Sequence, residues 1–369
     1  MKWFLFALVA AILCNACTNA KLTAAPTAAN MPSETPQAPI LTATSTAQPR
    51  PSPTPAGDIF EKSYRLGRGV NLGNALEAPQ EGEWGVTLDE DYFDLIQGAG
   101  FNSVRVPIRW SAHAEETAPY RIAPSFFERI DWVIENALSR NLAAVINIHH
   151  YDALYTDPAG QQARFLAIWD QIALHYQDYP DDLYFEILNE PNGKLSSEAW
   201  NQLAQEALNV IRKTNPNRSV IIGPDNWNSV LNISNLQLPE ADQNIIVTFH
   251  YYLPFPFTHQ GAEWVNGSDA WLGTSWGGSH ADQLSIKSDF QIAFSWSKTN
   301  HRPIYLGEFG AYSKANLEDR ARWTSFVSRL AEEYGFSWAY WEFCAGFGVY
   351  DPVQKIWNDA LKNALIPGE

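Results

Sequence analysis

The stretch Leu183-Tyr184-Phe185-Glu186-Ile187-Leu188-Asn189-Glu190-Pro191 opens on a short run, Leu183–Leu188, and breaks into a polar triplet. Such a run reads as a strand buried on both faces, with polar residues delivered at its C-terminal end. The same reading recurs at Leu66–Val70, Ser103–Pro107, Ala143–Ile148, Ser219–Ile222, Ile245–His250, Pro303–Gly307 and Phe336–Trp341. Helical patterns lie between them, at Leu88–Ala99, Pro124–Arg140, Gln161–Tyr176, Ser196–Lys213, Ala281–Lys298 and Leu317–Tyr334. The piece after Ile222 is irregular. Eight strands joined by helical crossovers predict an α/β protein, a closed (β/α)8 TIM barrel, and not an open doubly wound sheet. No Gly-rich dinucleotide fingerprint and no phosphate loop occurs in the sequence.

Outside the barrel pattern the chain changes character twice. Residues 1–17 read as an export signal: Lys2 is followed by an uncharged apolar run, Trp3 to Leu13, too short to span a bilayer. Ala16-Cys17 resembles a bacterial lipoprotein cleavage site, although Cys14 stands where such sites usually carry Leu. Cys17 is thus a candidate lipid attachment point, and the expected location is extracellular or at the cell surface. Residues 18–57 draw 28 of 40 positions from Pro, Thr, Ala and Ser and contain no aromatic residue. Such a segment buries too little apolar surface to offset its ordering entropy, so a disordered spacer is expected there. Residues 58–369 form the expected catalytic domain.

Composition excludes several classes. Hydrophobic residues make up 46% and charged residues 18%, as in a folded chain. With 25 basic and 41 acidic residues, net −16, general electrostatic binding to nucleic acid is excluded. Cys344 is the one cysteine of the barrel region, so neither an internal disulfide nor a cysteine-ligated zinc site is expected. Fifteen Trp beside two Met favour a surface that stacks flat ligands.

In a (β/α)8 barrel the active site lies at the C-terminal ends of the strands. Asn71 ends the first predicted strand, with Asn74 and Glu77 beyond it; Arg105 lies in the second; His149-His150 ends the third. Asn189-Glu190-Pro191, His250-Tyr251-Tyr252, Glu308-Phe309-Gly310 and Trp341-Glu342 follow the fourth, sixth, seventh and eighth. One such residue is readily a cap; seven coincident cases are not. Glu190 and Glu308 project into one cleft, and two carboxylates across a cleft are the minimum equipment for glycoside hydrolysis. One must hold a proton while the other is ionised. Mutual repulsion is expected to raise one pKa, and Arg105 with Tyr252 to lower the other. Asn189 can hold a sugar hydroxyl. A metal site using His149, His150 and His250 is disfavoured, because adjacent residues of an extended chain point apart and no H-E-x-x-H spacing occurs.

Taken in order, Gly69-Val70-Asn71-Leu72-Gly73-Asn74, Ile146-Asn147-Ile148-His149-His150, Ile187-Leu188-Asn189-Glu190-Pro191, His250-Tyr251-Tyr252 and Gly307-Glu308-Phe309-Gly310 resemble glycoside hydrolase family 5. The tract Trp338–Cys344 followed by Gly346–Asp351 is similar to its bacterial endoglucanases, in particular a thermophilic branch acting on glucan and mannan. The resemblance covers roughly residues 58–366. It implies Glu190 as acid/base and Glu308 as nucleophile of a retaining mechanism, supported by Arg105, Asn189, His250 and Tyr252. It implies His149 and His150 beside the scissile bond, Trp341 as a stacking floor, and Asn74, Glu77, Trp227, His259 and Trp264 along the cleft. It also implies a cis peptide after Trp341. The expected enzyme is a monomeric endo-β-1,4-glucanase without metal or cofactor. Its rivals are a β-mannanase and a non-catalytic carbohydrate-binding barrel.

Overall fold

The computed structural model describes residues 58–368. The signal, the candidate lipid site Cys17 and the spacer lie outside the described residues. Eight strands form the barrel: β1 Arg68–Asn71, β2 Ser103–Val106, β3 Ala143–Asn147, β4 Leu183–Glu186, β5 Val220–Ile222, β6 Ile245–Tyr251, β7 Ile304–Phe309 and β8 Ser337–Tyr340. They pair in parallel in sequence order, and β1 closes on β8 with Gly69 beside Ala339. All but Arg68 are buried, which is why these strands read as continuous runs and not as alternations.

The six long helices form where their patterns predict, from Glu90–Ala99 to Leu317–Glu333. After β5 the crossover is irregular, a short turn over Asp225–Asn228 and a 3-10 turn over Val230–Asn235. Each predicted strand shifts by one or two residues at one or both ends, β4 stopping at Glu186 and not at Leu188, and two of the corrections matter for the packing or the site. Leu66 is not in β1; it ends a helix, Ile59–Leu66, capped by the Asp58 side chain on Phe60 N–H. Ile59 and Leu66 of that helix join Val145, Tyr184, Ile221 and Tyr305 in an apolar cluster at the strand starts. Leu66 was misread because an apolar residue at a helix end looks the same as one at a strand start.

The second correction bears on the site. Strand β7 runs past Gly307 to Phe309, so Glu308 lies inside the strand and not beyond it. The ladder with β6 shifts there: Phe249 pairs with Leu306, and His250 pairs with Glu308. Gly307 is the extra residue of this bulge. A Cβ at that position would meet Thr248 Oγ1 at 2.7 Å and His250 Nε2 at 3.0 Å. Bulges re-aim side chains beside active sites, and this one brings His250 abreast of Glu308.

Candidate active site

Arg105 of β2 lies fully buried at the floor of the cleft. Its guanidinium carries five N–H donors, and five contacts engage them. Nε and Nη2 reach the two oxygens of Glu186 at 2.6 and 2.8 Å. Nη2 also reaches Asn189 Oδ1 at 2.7 Å, while Nη1 reaches Asn71 Oδ1 at 2.8 Å and Glu308 Oε1 at 2.7 Å. Glu186 is the buried last residue of β4, and a carboxylate buried there requires a counter-ion. Asn71 ties the ring shut, its amide donating toward the carbonyls of Gly307, Ala339 and Tyr340 at 3.0–3.3 Å.

The two candidate acids are held differently. Glu308 accepts from Arg105 on Oε1 and from the Tyr252 hydroxyl on Oε2, at 2.8 Å. Glu190 follows β4 with a left-handed backbone, φ 45°, a conformation that non-glycine residues adopt mostly at special sites. Its Oε1 lies 2.8 Å from Nδ1 of His250, which is 3.6 Å from Glu308 Oε2. The Glu190 side chain is 26% exposed and that of Glu308 is 6% exposed. One oxygen of each acid and a His250 nitrogen fall within 4.8 Å of one another, which among the described residues is the grouping close enough to share a cation.

Burial raises Glu190 to a pKa of about 7; Arg105 opposes the rise and Glu186 adds to it. Glu308 is also raised, chiefly by burial, with His250, Arg105 and the Tyr252 hydroxyl opposing. The expectation that one acid falls below its ordinary range is therefore not met. Desolvation outweighs the cation, because both carboxyl groups are taken out of water by the packed cleft. Glu308 nonetheless has the two donors that an anion needs. Burial lowers His250 to about 4, so its imidazole is neutral above that pH.

The structure brings most remaining candidates to the same face. His149 stacks on Trp341, with ring centroids 5.6 Å apart and planes at 11°. Beside it, His150 turns its edge to Trp84, which is 40% exposed. The Trp341–Glu342 peptide is cis, as the resemblance implies. Glu77 is buried, and its carboxylate accepts the backbone N–H groups of Asn74 and of Ala75, the latter at 3.0 Å. It braces the loop that carries Asn74. His259 is buried between Phe255, stacked at 4.1 Å, and Phe347. Its ring stands 6.4 Å from that of Trp264. Trp264 and Trp227 are 61% and 44% exposed.

Sequence reading missed five contributors. Glu186 had a signal, an acid inside the apolar run Leu183–Leu188, and it is the residue that ends β4. Glu342 was named only as the neighbour of Trp341; it is buried and accepts the N–H groups of Cys344, Ala345 and Phe347. Tyr155 donates toward the carbonyls of His149 and Asn189 at 3.1 and 2.8 Å. Asn147 contacts His149 Nδ1 at 3.2 Å, and Asn228 contacts His250 Nε2 at 3.3 Å. The last three carry no pattern in the sequence that separates them from ordinary loop or strand polar residues.

A (β/α)8 barrel with a buried arginine holding one of two facing glutamates defines a two-carboxylate hydrolase. The family model for cellulase (glycosyl hydrolase family 5) matches residues 67–346, and the chain belongs to this family. It is 40% identical over 303 residues to Endoglucanase H of Acetivibrio thermocellus, covering 82% of this chain and 32% of that protein. The chain thus spans about a third of the length of that relative. The crystal structure of endoglucanase Cel5A from the hyperthermophilic Thermotoga maritima is 56% identical, covers 84% of this chain and 100% of its own, and gives a TM-score of 0.82. A second structure of that Cel5A, in complex with mannotriose, is 55% identical over 84% of this chain and 100% of its own, with a TM-score of 0.83.

Proposed function

We propose that the protein is an endo-β-1,4-glucanase that hydrolyses internal bonds of glucan chains with retention, and that β-mannan is a second substrate. The observation that carries this is the Glu190–Glu308 pair, with one oxygen of each within 4.8 Å of the other. That spacing falls near the roughly 5–5.5 Å of retaining pairs and short of the roughly 6.5–9.5 Å that inversion needs. Glu308 attacks the anomeric carbon while Glu190 protonates the leaving oxygen; Glu190 then takes a proton from the water that releases the sugar. Arg105 and Tyr252 orient Glu308 as an anion, and burial keeps the proton on Glu190 near neutral pH. The relatives named endoglucanases support the glucan reading. The Thermotoga maritima Cel5A complexes with cellobiose and with mannotriose support breadth. We further propose export as a monomer, by the leader at residues 1–17, with Cys17 as lipid anchor. Membrane fractionation of wild type against Cys17→Ser tests that point: fully soluble wild-type protein overturns it.

The central test is reducing-sugar release from soluble β-glucan and from β-mannan, with the anomer of the first product followed by NMR. Release from glucan with β product first is expected. Early α product contradicts retention, mannan turnover above glucan favours the mannanase reading, and no release from either leaves a binding barrel.

A further inference from the structure

The turn after β5 holds three successive non-glycine residues in the left-handed region: Asn226 at φ 56°, Trp227 at 59° and Asn228 at 52°. Such positions are uncommon singly, and a run of three is held only where its surroundings enforce it. This turn sends its residues in two directions. Trp227 is 44% exposed, and Asn228 is fully buried. The turn is tied to the acid itself, since Trp227 N–H donates to the carbonyl of Pro191, next to Glu190.

Asn228 Nδ2 lies 3.3 Å from Nε2 of His250. Its Oδ1 is buried and receives no donor from the described residues. It occupies the space left by Gly223, where a Cβ would collide with it. A buried amide with one end engaged and the other orphaned needs a reason. The neutral imidazole supplies one. Its Nδ1 faces Glu190 Oε1 at 2.8 Å and Glu308 Oε2 at 3.6 Å, so the ring proton belongs on Nδ1. Nε2 is then an acceptor and requires a donor. Turning the amide over would present Oδ1 to that lone pair instead.

We propose that Asn228 is a positioning residue: by donating its amide N–H to Nε2, it holds His250 in the Nδ1–H form and leaves the acid proton of Glu190 on the oxygen that His250 does not touch. With the opposite tautomer, bare Nδ1 would accept that proton internally, away from the leaving group. The other charged or titratable groups acting on the His250 ring are Arg105, Glu186 and His149, and none of them supplies a donor to Nε2. This inference rests on Glu190 being the acid, but the tautomer can be read without any substrate.

The test is a two-bond 1H–15N spectrum of 15N-histidine-labelled protein at pH 6, with the His250 signals assigned by their absence in His250→Gln. Protonated Nδ1 and unprotonated Nε2 are expected in wild type. The isosteric change Asn228→Asp replaces the donor by an anionic acceptor. It should move the proton to Nε2 or charge the ring, with a fall in kcat of about tenfold and KM within about twofold. A charged ring favours ionised Glu190, so the alkaline limb of the rate profile should move to lower pH by about one unit. Wild-type protein with Nε2–H and bare Nδ1 overturns the proposal, even if Asn228→Asp does not fold. So does an Asn228→Asp spectrum and pH profile identical to wild type. A wild type that hydrolyses no glucan removes the glucanase reading and leaves the tautomer result standing.

Discussion

Arg105, Glu186 and Glu308 stand on β2, β4 and β7 and are buried, whereas Trp227 and Trp264 stand on loops at the rim and are 44% and 61% exposed. The floor of the cleft has its register fixed by the barrel ladder; moving one group there means breaking strand pairing or stranding a buried charge. The rim has neither constraint. Reaction chemistry is therefore tied to folding, while affinity and polymer choice are free to vary at almost no cost to the fold.

The largest expected effect lies at the floor. Glu308→Gln and Glu190→Gln keep the side-chain volume and remove the proposed nucleophile or the proposed acid proton. Each should lower kcat on soluble glucan at least about a thousandfold, with the folded state retained by circular dichroism. Azide should restore turnover of an activated glycoside to Glu308→Gly. Near wild-type kcat in either Gln variant would break the assignment.

Glu186→Gln sharpens the contrast between floor and rim through stability. It leaves half of a bidentate buried ion pair without its charge, at an expected cost of about 3–5 kcal/mol in denaturant unfolding. Trp264→Ala should change stability by no more than about 0.5 kcal/mol. Equal small losses would show that the floor is not the structural unit drawn here.

The third effect is on pH. Rate against pH should be bell-shaped, and the alkaline limb should fall near pH 7, where Glu190 loses its proton. The charge of Glu186 helps to raise Glu190. Where Glu186→Gln still folds, its alkaline limb should therefore lie at lower pH than in wild type. A limb that stays put would mean that Glu186 acts by packing alone.

The same division decides what could be read from the chain. All eight barrel strands were legible, because a strand buried on both faces leaves a continuous run in the sequence. Glu190, Glu308 and His250 were legible because polar residues at the ends of such runs are out of place, and Arg105 because a charge inside such a run is. Glu308 was placed past β7 when it lies within it, since a bulge at Gly307 has no signature that a run of Leu-Gly-Glu-Phe displays. Glu186 was overlooked although an acid between Phe185 and Ile187 is as anomalous as those at the ends. Asn228 was beyond reach: its contact with His250 depends on three left-handed residues that no local preference demands. The sequence also misassigned the origin of the pKa shifts, because desolvation is a property of the packed site and not of the residues.

The smallest expected effects belong to the rim. Trp264 packs edge-on against Tyr312, with centroids 4.9 Å apart, and remains mostly open to solvent. An aromatic face binds a sugar through its C–H surface, which is shared by glucose and mannose units apart from the 2-hydroxyl. Trp264→Ala should therefore raise KM about threefold to tenfold on both polymers, with kcat unchanged. Glu77→Gln should behave differently. It loosens the loop that carries Asn74, because the amide turns an NH2 toward one of the two N–H groups that the two carboxyl oxygens now accept. Asn74 is a candidate contact for the 2-hydroxyl, so the ratio of glucan to mannan turnover should shift while the Trp264 variant leaves that ratio fixed. Parallel assays on the two polymers read both outcomes. A ratio unchanged in Glu77→Gln would remove the loop from substrate selection and leave discrimination to His149 and His150.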